Sequence, residues 1–214
     1  MRAAHGCQDG LMAEVATAPA GLRERKKAQV RATILREGQR LFAADGFDAT
    51  TVEAIAAACD VSPATVYRYF PTKEDIAFAD AERQGARLAE LIREQPAELS
   101  PNQALYRALH GLADEYVPSR TAMRATSRMV DGSTSLRARK AESQHRWEET
   151  VVAALTARPS TAEHDVDDTI LRFMTATALS SFRVATELWL ADKRKDLHAL
   201  VDLAVARLTD GYGR

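Results

Sequence analysis

The sequence predicts an all-α protein of about nine helices, divided into a small N-terminal helical unit and a larger C-terminal one. Apolar residues recur at three- and four-residue spacing along almost the whole chain, and strict alternation over a strand's length is absent. Cap and breaker residues stand where one periodic run gives way to the next. At 214 residues the chain is long enough for two units that each bury a core. The expected division is a leader over 1–20, a first unit over 21–71, a second over 72–210 and a tail over 211–214.

The first helix is expected from about Arg25 to Ala44, with Val30, Ile34, Leu41 and Phe42 inward. Gly38 on the same face permits a close neighbour, and Asp45-Gly46 ends the helix. Thr50-Thr51-Val52-Glu53 fits a capping box, so a short helix over Thr51 to Cys59 follows, stopped by Asp60, a residue type that tolerates a left-handed turn. Ser62 is a good N-cap and Pro63 stands at the first helical position, which defines a helix from Pro63 to Tyr69. Thr72 to Asp75 repeats the capping pattern with acid in the first turn and opens a longer helix to roughly Arg93.

Two prolines between Gln95 and Pro101 mark a connector. Helices are expected over 102–117 and 119–131, and then from Ser135 to Ala157, broken by Arg158-Pro159-Ser160. From Val166 to Ala191 apolar residues fall on two lines, one with Ile170, Met174 and Leu188, the other with Leu171, Phe182 and Trp189. A helix apolar on more than one side is covered on more than one side. In a chain this small, that predicts packing inward on its own unit and outward on a second copy. The last helix, Asp196 to Leu208, joins the same interface.

Composition removes several classes. With 46% hydrophobic and 28% charged residues the chain has the balance of a folded soluble protein, and no apolar run approaches the roughly 20 residues that span a bilayer. Cys7 and Cys59 are the only cysteines, too few for a disulfide framework or a thiolate zinc site, which predicts a reducing, cytoplasmic setting. No Gly-rich phosphate loop, nucleophile elbow or His-x-x-x-His pair is present, so neither a cofactor nor a metal is expected. His145 with Glu148 or Glu149 shares a helix face, for which a solvated ion-pairing surface is the plain account. The formal net charge is −1, but between Gly21 and Arg31 five cations face Glu24 alone. That local arm suits phosphate contact, or simply a solvated helix start.

Two short helices joined by a tight turn, the second carrying hydroxyls and aromatics beside a basic residue, form a unit suited to the DNA major groove. The run Thr51-Val52-Glu53-Ala54-Ile55-Ala56, then Val61-Ser62-Pro63-Ala64-Thr65-Val66-Tyr67-Arg68-Tyr69-Phe70 and Lys73-Glu74-Asp75-Ile76, closely resembles the TetR family of transcriptional regulators. The resemblance covers roughly residues 25 to 80, with Leu41-Phe42 and Gly46-Phe47 upstream in register. It implies that Thr51, Tyr67, Tyr69 and Lys73 touch phosphates, that Ser62, Pro63, Ala64, Thr65 and Arg68 lie at or near the groove, and that Arg25, Lys26 and Lys27 form a contacting arm. Plainer roles stay open: Thr51 as a cap only, Tyr67 as packing, Lys73 as a solvated first-turn residue. Asp60 and Ala64 depart from the family's usual glycines, and Asp60 puts a negative charge near the DNA.

Beyond residue 90 the resemblance implies a helical domain with an effector pocket and a homodimer interface through the helices at about 166–191 and 196–208. Pocket candidates are Leu105, Leu109, Met123, Met129, Trp147, Phe173 and Phe182, with Arg128 or Arg183 as anchors for an acidic ligand; each is equally at home in an ordinary core. Parts of this half resemble the mycofactocin-regulator branch, which implies an acyl-CoA-type effector. The function so implied is a repressor that binds a palindromic DNA operator as a dimer and is released by a small, largely apolar molecule. The alternatives are a DNA-binding dimer that needs no effector or answers a protein partner, and an enzyme using the apolar pocket.

Overall fold

The computed structural model describes residues 21–159 and 167–210; the expected leader at 1–20 and tail at 211–214 lie outside them. Among the described residues the chain forms nine α-helices and no strand. They are α1 (Leu22–Asp45), α2 (Val52–Ala58), α3 (Pro63–Tyr69), α4 (Lys73–Arg93), α5 (Pro101–Tyr116), α6 (Arg120–Gly132), α7 (Thr134–Ala157), α8 (Asp168–Ala191) and α9 (Leu197–Asp210). A 3-10 turn, Val117–Ser119, joins α5 to α6.

The helix ends follow their local chemistry. Gly46, at φ +87°, closes α1 with its N–H on the Phe42 carbonyl. Asp60, at φ +52°, takes the left-handed turn after α2. Thr72 and Asp75 form the reciprocal box expected at the start of α4, and Ser100 with Gln103 forms a second one at α5. The box expected at α2 does not form. The N-cap is Thr51, whose Oγ1 accepts from the Ala54 amide at 3.1 Å, so Glu53 falls one position short of the place from which a carboxylate reaches back. Thr50 is turned inward instead and donates to the Gly46 carbonyl at 2.8 Å.

Two apolar cores result. The first gathers Ile34 and Phe42 of α1, Phe47, Val52 and Ile55 around α2, Val66 and Phe70 of α3, and Ile76 and Phe78 of α4. A β-carbon on Gly38 would stand 2.6 Å from Ile76 Cγ2, which is why α1 carries glycine where it crosses α4. The second core is built from Leu88, Ile92, Leu105, Leu112, Val151, Phe182, Trp189 and Leu197, contributed by α4, α5, α7, α8 and α9. Helix α4 thus runs through both, its first turns in the head and its last in the bundle. The α6–α7 corner is the other bridge, because Val130 and Leu136 are buried in the head core.

Polar ties reinforce that bridge. Ser133 Oγ donates to Asp48 at 3.0 Å. Arg139 of α7 reaches Asp75 at 2.5 Å and Glu82 at 3.3 Å, Arg146 reaches Glu82 at 3.2 Å, and Trp147 Nε1 donates to the Ala81 carbonyl at 3.1 Å. Asp75 Oδ2 meanwhile accepts the Thr72 amide at 3.0 Å and its hydroxyl at 2.8 Å, so one carboxylate caps α4 and anchors α7. At the far end of α8, Arg120 donates to the carbonyls of Trp189, Asp192 and Lys193.

Candidate nucleic-acid interface

Helix α3 is short and held from one side. Ser62 Oγ accepts from the Thr65 amide at 3.2 Å and lies 3.0 Å from the Thr65 hydroxyl, while Pro63 opens the helix without an amide to satisfy. The preceding turn is fixed by the Val61 amide on the Ala56 carbonyl at 3.0 Å. Val66 is fully buried and Phe70 is 3% exposed, so the helix is pinned by these two residues. Its opposite face is open: Ser62, Pro63, Ala64 and Arg68 are exposed, and Tyr67 is 48% exposed. Burying so large an aromatic would stabilise the fold by about 1.5–3 kcal/mol. Its exposure therefore favours recognition over packing for Tyr67.

Other residues expected near phosphates divide into three groups. Arg25, Lys26 and Lys27 are all exposed on α1. Thr51 is exposed; its hydroxyl oxygen caps α2, but a hydroxyl that accepts still has a proton to donate, so capping and phosphate contact are compatible. Tyr69 and Thr65 are half-buried, with the Arg68 guanidinium 5.3 Å from the Tyr69 ring centre. Arg31, not singled out beyond its place in the arm, lies 4.8 Å from the Phe70 ring centre, which brings α1 against the C-terminal end of α3.

Lys73 has a different task from the phosphate contact expected of it. Its Nζ donates to the carbonyls of Phe47 at 2.9 Å and Thr50 at 3.1 Å, with Asp48 at 3.5 Å, and sits 4.3 Å from the Phe47 ring centre. The ammonium is a strut between α4 and the α1–α2 loop. A first-turn lysine four bonds long reaches either solvent or a neighbouring loop, and spacing along the chain does not distinguish them.

The eight pocket candidates do not share one lining. Leu105, Leu109 and Phe182 are 1%, 3% and 5% exposed within the packed bundle core, with Met123 and Trp147 at its edge. Met129 packs instead on the head core, because the end of α6 enters it. Phe173 is corrected outright: at 71% exposed it lies on the outside of α8. Two residues along a helix turn the side chain by about 200°, which sets Phe173 opposite the buried Leu171. Together with Ile170, Val184 and Leu188 it makes an exposed apolar stripe, and Leu203 of α9 is 52% exposed as well.

Two grooves open on the bundle surface. One, of about 450 Å³, lies between α4 and α5, lined by Arg83, Gln84, Arg87, Glu115 and Tyr116. The other, of about 460 Å³, lies among α6, α7 and α8 and includes Arg128 with Arg124, Lys140 and Glu187. Lys140 and Arg183 both bind Glu187, at 3.0 Å and 3.1 Å. Burial pushes the Glu187 carboxyl up, but the two cations outweigh it and hold the group below the ordinary carboxylate range. These groups, like Arg139 and its partners, stand far apart in sequence and had no local signal. His145, 73% exposed, lies 4.0 Å from Glu148 and 3.5 Å from Glu149, a solvated surface cluster. Among the described residues no helix is long and apolar enough to cross a membrane, and no group of three or more His, Cys, Asp or Glu is placed to hold a metal ion.

Comparison with known proteins places both halves. Residues 34–79 match the model of the bacterial regulatory proteins of the tetR family, and residues 99–213 match the MftR C-terminal domain. Over 188 residues, spanning 84% of this chain and 81% of the relative, the sequence is 31% identical to the HTH-type transcriptional regulator TcmR of Streptomyces glaucescens. Among solved structures, the Thermus thermophilus transcriptional repressor FadR in complex with lauroyl-CoA aligns over 85% of this chain and 94% of its own, with TM-score 0.59 at 21% identity. The fatty acid degradation regulator FadR of Bacillus halodurans aligns over 86% and 97%, with TM-score 0.56 at 19% identity. At those identities the structural likeness concerns the fold.

Proposed function

The chain belongs to the TetR family of transcriptional regulators, and on that premise we propose that it is a cytoplasmic repressor that grips a near-palindromic operator as a homodimer and lets go when a small, largely apolar ligand binds. The observation that carries the reading is the exposed face of α3, with Ser62, Pro63, Ala64, Tyr67 and Arg68 outward on a helix anchored by Val66 and Phe70. The N-terminal residues of such a helix suit base edges, while Thr51, Tyr69 and the Arg25-Lys26-Lys27 arm suit phosphates. The head is taken as residues 21–71 and the ligand-binding and dimerisation unit as 72–210, sharing the first turns of α4.

Dimerisation is assigned to α8 and α9. Their outer face carries Ile170, Phe173, Val184, Leu188 and Leu203, an apolar stripe that a second copy would cover by two-fold symmetry. Such a dimer sets two α3 helices about 34–36 Å apart, one turn of DNA. The ligand acts by preferring an arrangement that lacks this spacing, since equal affinity for both arrangements shifts nothing. One observation favours a second reading, a dimer that needs no effector: Leu105, Leu109 and Phe182 are packed into the core instead of bordering open space. Catalysis has no part in either reading.

The test is selection of bound duplexes from a random pool by the full chain, followed by footprinting. A two-fold symmetric site whose binding is lost in Tyr67→Ala and Arg68→Ala, with the dimer intact, is the expected result. A footprint that those variants leave unchanged would remove α3 from the interface.

A further inference from the structure

The two surface grooves differ in how their cations are used. In the α4–α5 groove, Arg87 is bound by Glu115 at 2.8 Å, Glu94 at 3.2 Å and Glu90 at 3.3 Å, and Arg83 by Asp80 at 3.0 Å. Its positive charge is neutralised. In the α6–α7–α8 groove, Lys140 is bound by Glu187, whereas Arg124 and Arg128 have no ion-pair or hydrogen-bond partner among the described residues. They stand four residues apart, one turn along α6, so both guanidiniums project from one helix face into one groove. Two guanidinium forks side by side match the planar, multidentate oxygens of a phosphate or carboxylate. Leu190 and Ala191 supply a small apolar floor beside them.

The same groove is wired to the head. Lys140, on its wall, is the sequence neighbour of Arg139, and successive residues of a helix point about 100° apart. Lys140 therefore faces Glu187 of α8 while Arg139 faces Asp75 and Glu82 of α4. Arg139 is only 18% exposed on its side chain, and its Nε is buried without a partner, so its position depends on the exact seat of α7. An anion between Arg124 and Arg128 attracts Lys140 and competes with Glu187 for it. Moving that stretch of α7 strains the Arg139–Asp75 contact, and Asp75 is the carboxylate that caps α4 directly after α3.

We propose that the α6–α7–α8 groove binds the anionic group of a phosphate- or carboxylate-bearing ligand through Arg124 and Arg128, and that occupancy reaches the DNA-binding head through Arg139 and Asp75. The second half rests on the regulator reading above; the first stands on the groove alone. The ligand's acidic group sits at the surface, and its apolar remainder lies on Leu190 and Ala191.

Calorimetric titration of the full chain at constant ionic strength tests the groove, with inorganic pyrophosphate in one arm and decanoate in the other to separate phosphate from carboxylate sources. Saturable binding of either probe, weakened at least tenfold in Arg124→Gln/Arg128→Gln and unchanged in Arg83→Gln, is expected. No saturable binding by either probe, or equal binding in the double variant, overturns the site. With a selected operator present, the bound probe should lower operator affinity at least tenfold in the parent chain and less than twofold in Arg139→Gln, which still binds the probe. An equal effect in both overturns the relay. If no duplex is ever selected, the regulator reading fails while the groove titration keeps its own answer.

Discussion

Replacing Lys73 by alanine separates a strut from a phosphate contact. In the structure the ammonium holds two main-chain carbonyls within 3.1 Å, one of them on the buried Thr50, and lies against the Phe47 ring. A hydrogen bond involving a charged group contributes about 1.5–3 kcal/mol, and water competing at this half-buried site reduces each to about 1 kcal/mol. The cation–π contact adds about 0.5–1 kcal/mol. The loss is then about 2–3 kcal/mol, or roughly 5–10 °C in Tm at about 2–4 °C per kcal/mol for a chain of this size. Thermal unfolding followed by circular dichroism reads the stability, and operator titrations over a salt series read the phosphate count. The expected outcome is a lowered Tm with an unchanged salt slope, any affinity loss following the unfolded fraction. An unchanged Tm, with a salt slope shallower by about one, would refute the strut and restore Lys73 to the DNA backbone.

Replacing Arg25, Lys26 and Lys27 together by glutamine should leave Tm within error, because all three are exposed, and flatten log affinity against log salt by about two to three, at roughly 0.9 per phosphate neutralised. An unaltered slope would mean that the arm is only solvated. Phe173→Glu puts a charge on the apolar stripe of both partners; with about 1.5–3 kcal/mol per buried aromatic lost twice, sedimentation should show a dimer weakened about hundredfold or more, while an intact dimer would move the interface elsewhere. Glu187 predicts an acid limb. Its carboxyl is held below the ordinary 4.5, so its contribution is complete above that pH and fades as pH falls through the lowered folded-state value. Lys140→Met should flatten the corresponding part of a stability–pH curve, and an unaltered limb would show that the Lys140–Glu187 pair is energetically silent.

Tyr67 and Phe173 illustrate what sequence reading delivers and where it stops. Both are exposed aromatics on helices of otherwise regular period. Tyr67 was legible as an interface residue because α3 is only seven residues long and its neighbours Ser62, Pro63 and Val66 settle which face is anchored. Phe173 was assigned to an interior because α8 has apolar residues on two lines, and the sequence does not say which line meets the bundle. Leu171, Thr175, Leu179 and Phe182 took the inward side. Met129 shows the same limit, since its period placed it in the bundle while the α6–α7 corner carried it to the head.

By itself the sequence determined the helices, their caps and the turn between α2 and α3, because these depend on residues within four positions of one another: Ser62 on Thr65, Thr72 on Asp75, Asp60 in its left-handed turn. Only the tertiary structure decided what those helices face. Lys73 meeting Phe47, Arg139 meeting Asp75, and Arg124 with Lys140 around one groove are pairings of residues 16 to 64 positions apart, and they arise from how rigid rods rotate about their axes as two cores close. Rotation is set by summed packing across several helices, a quantity no single segment carries.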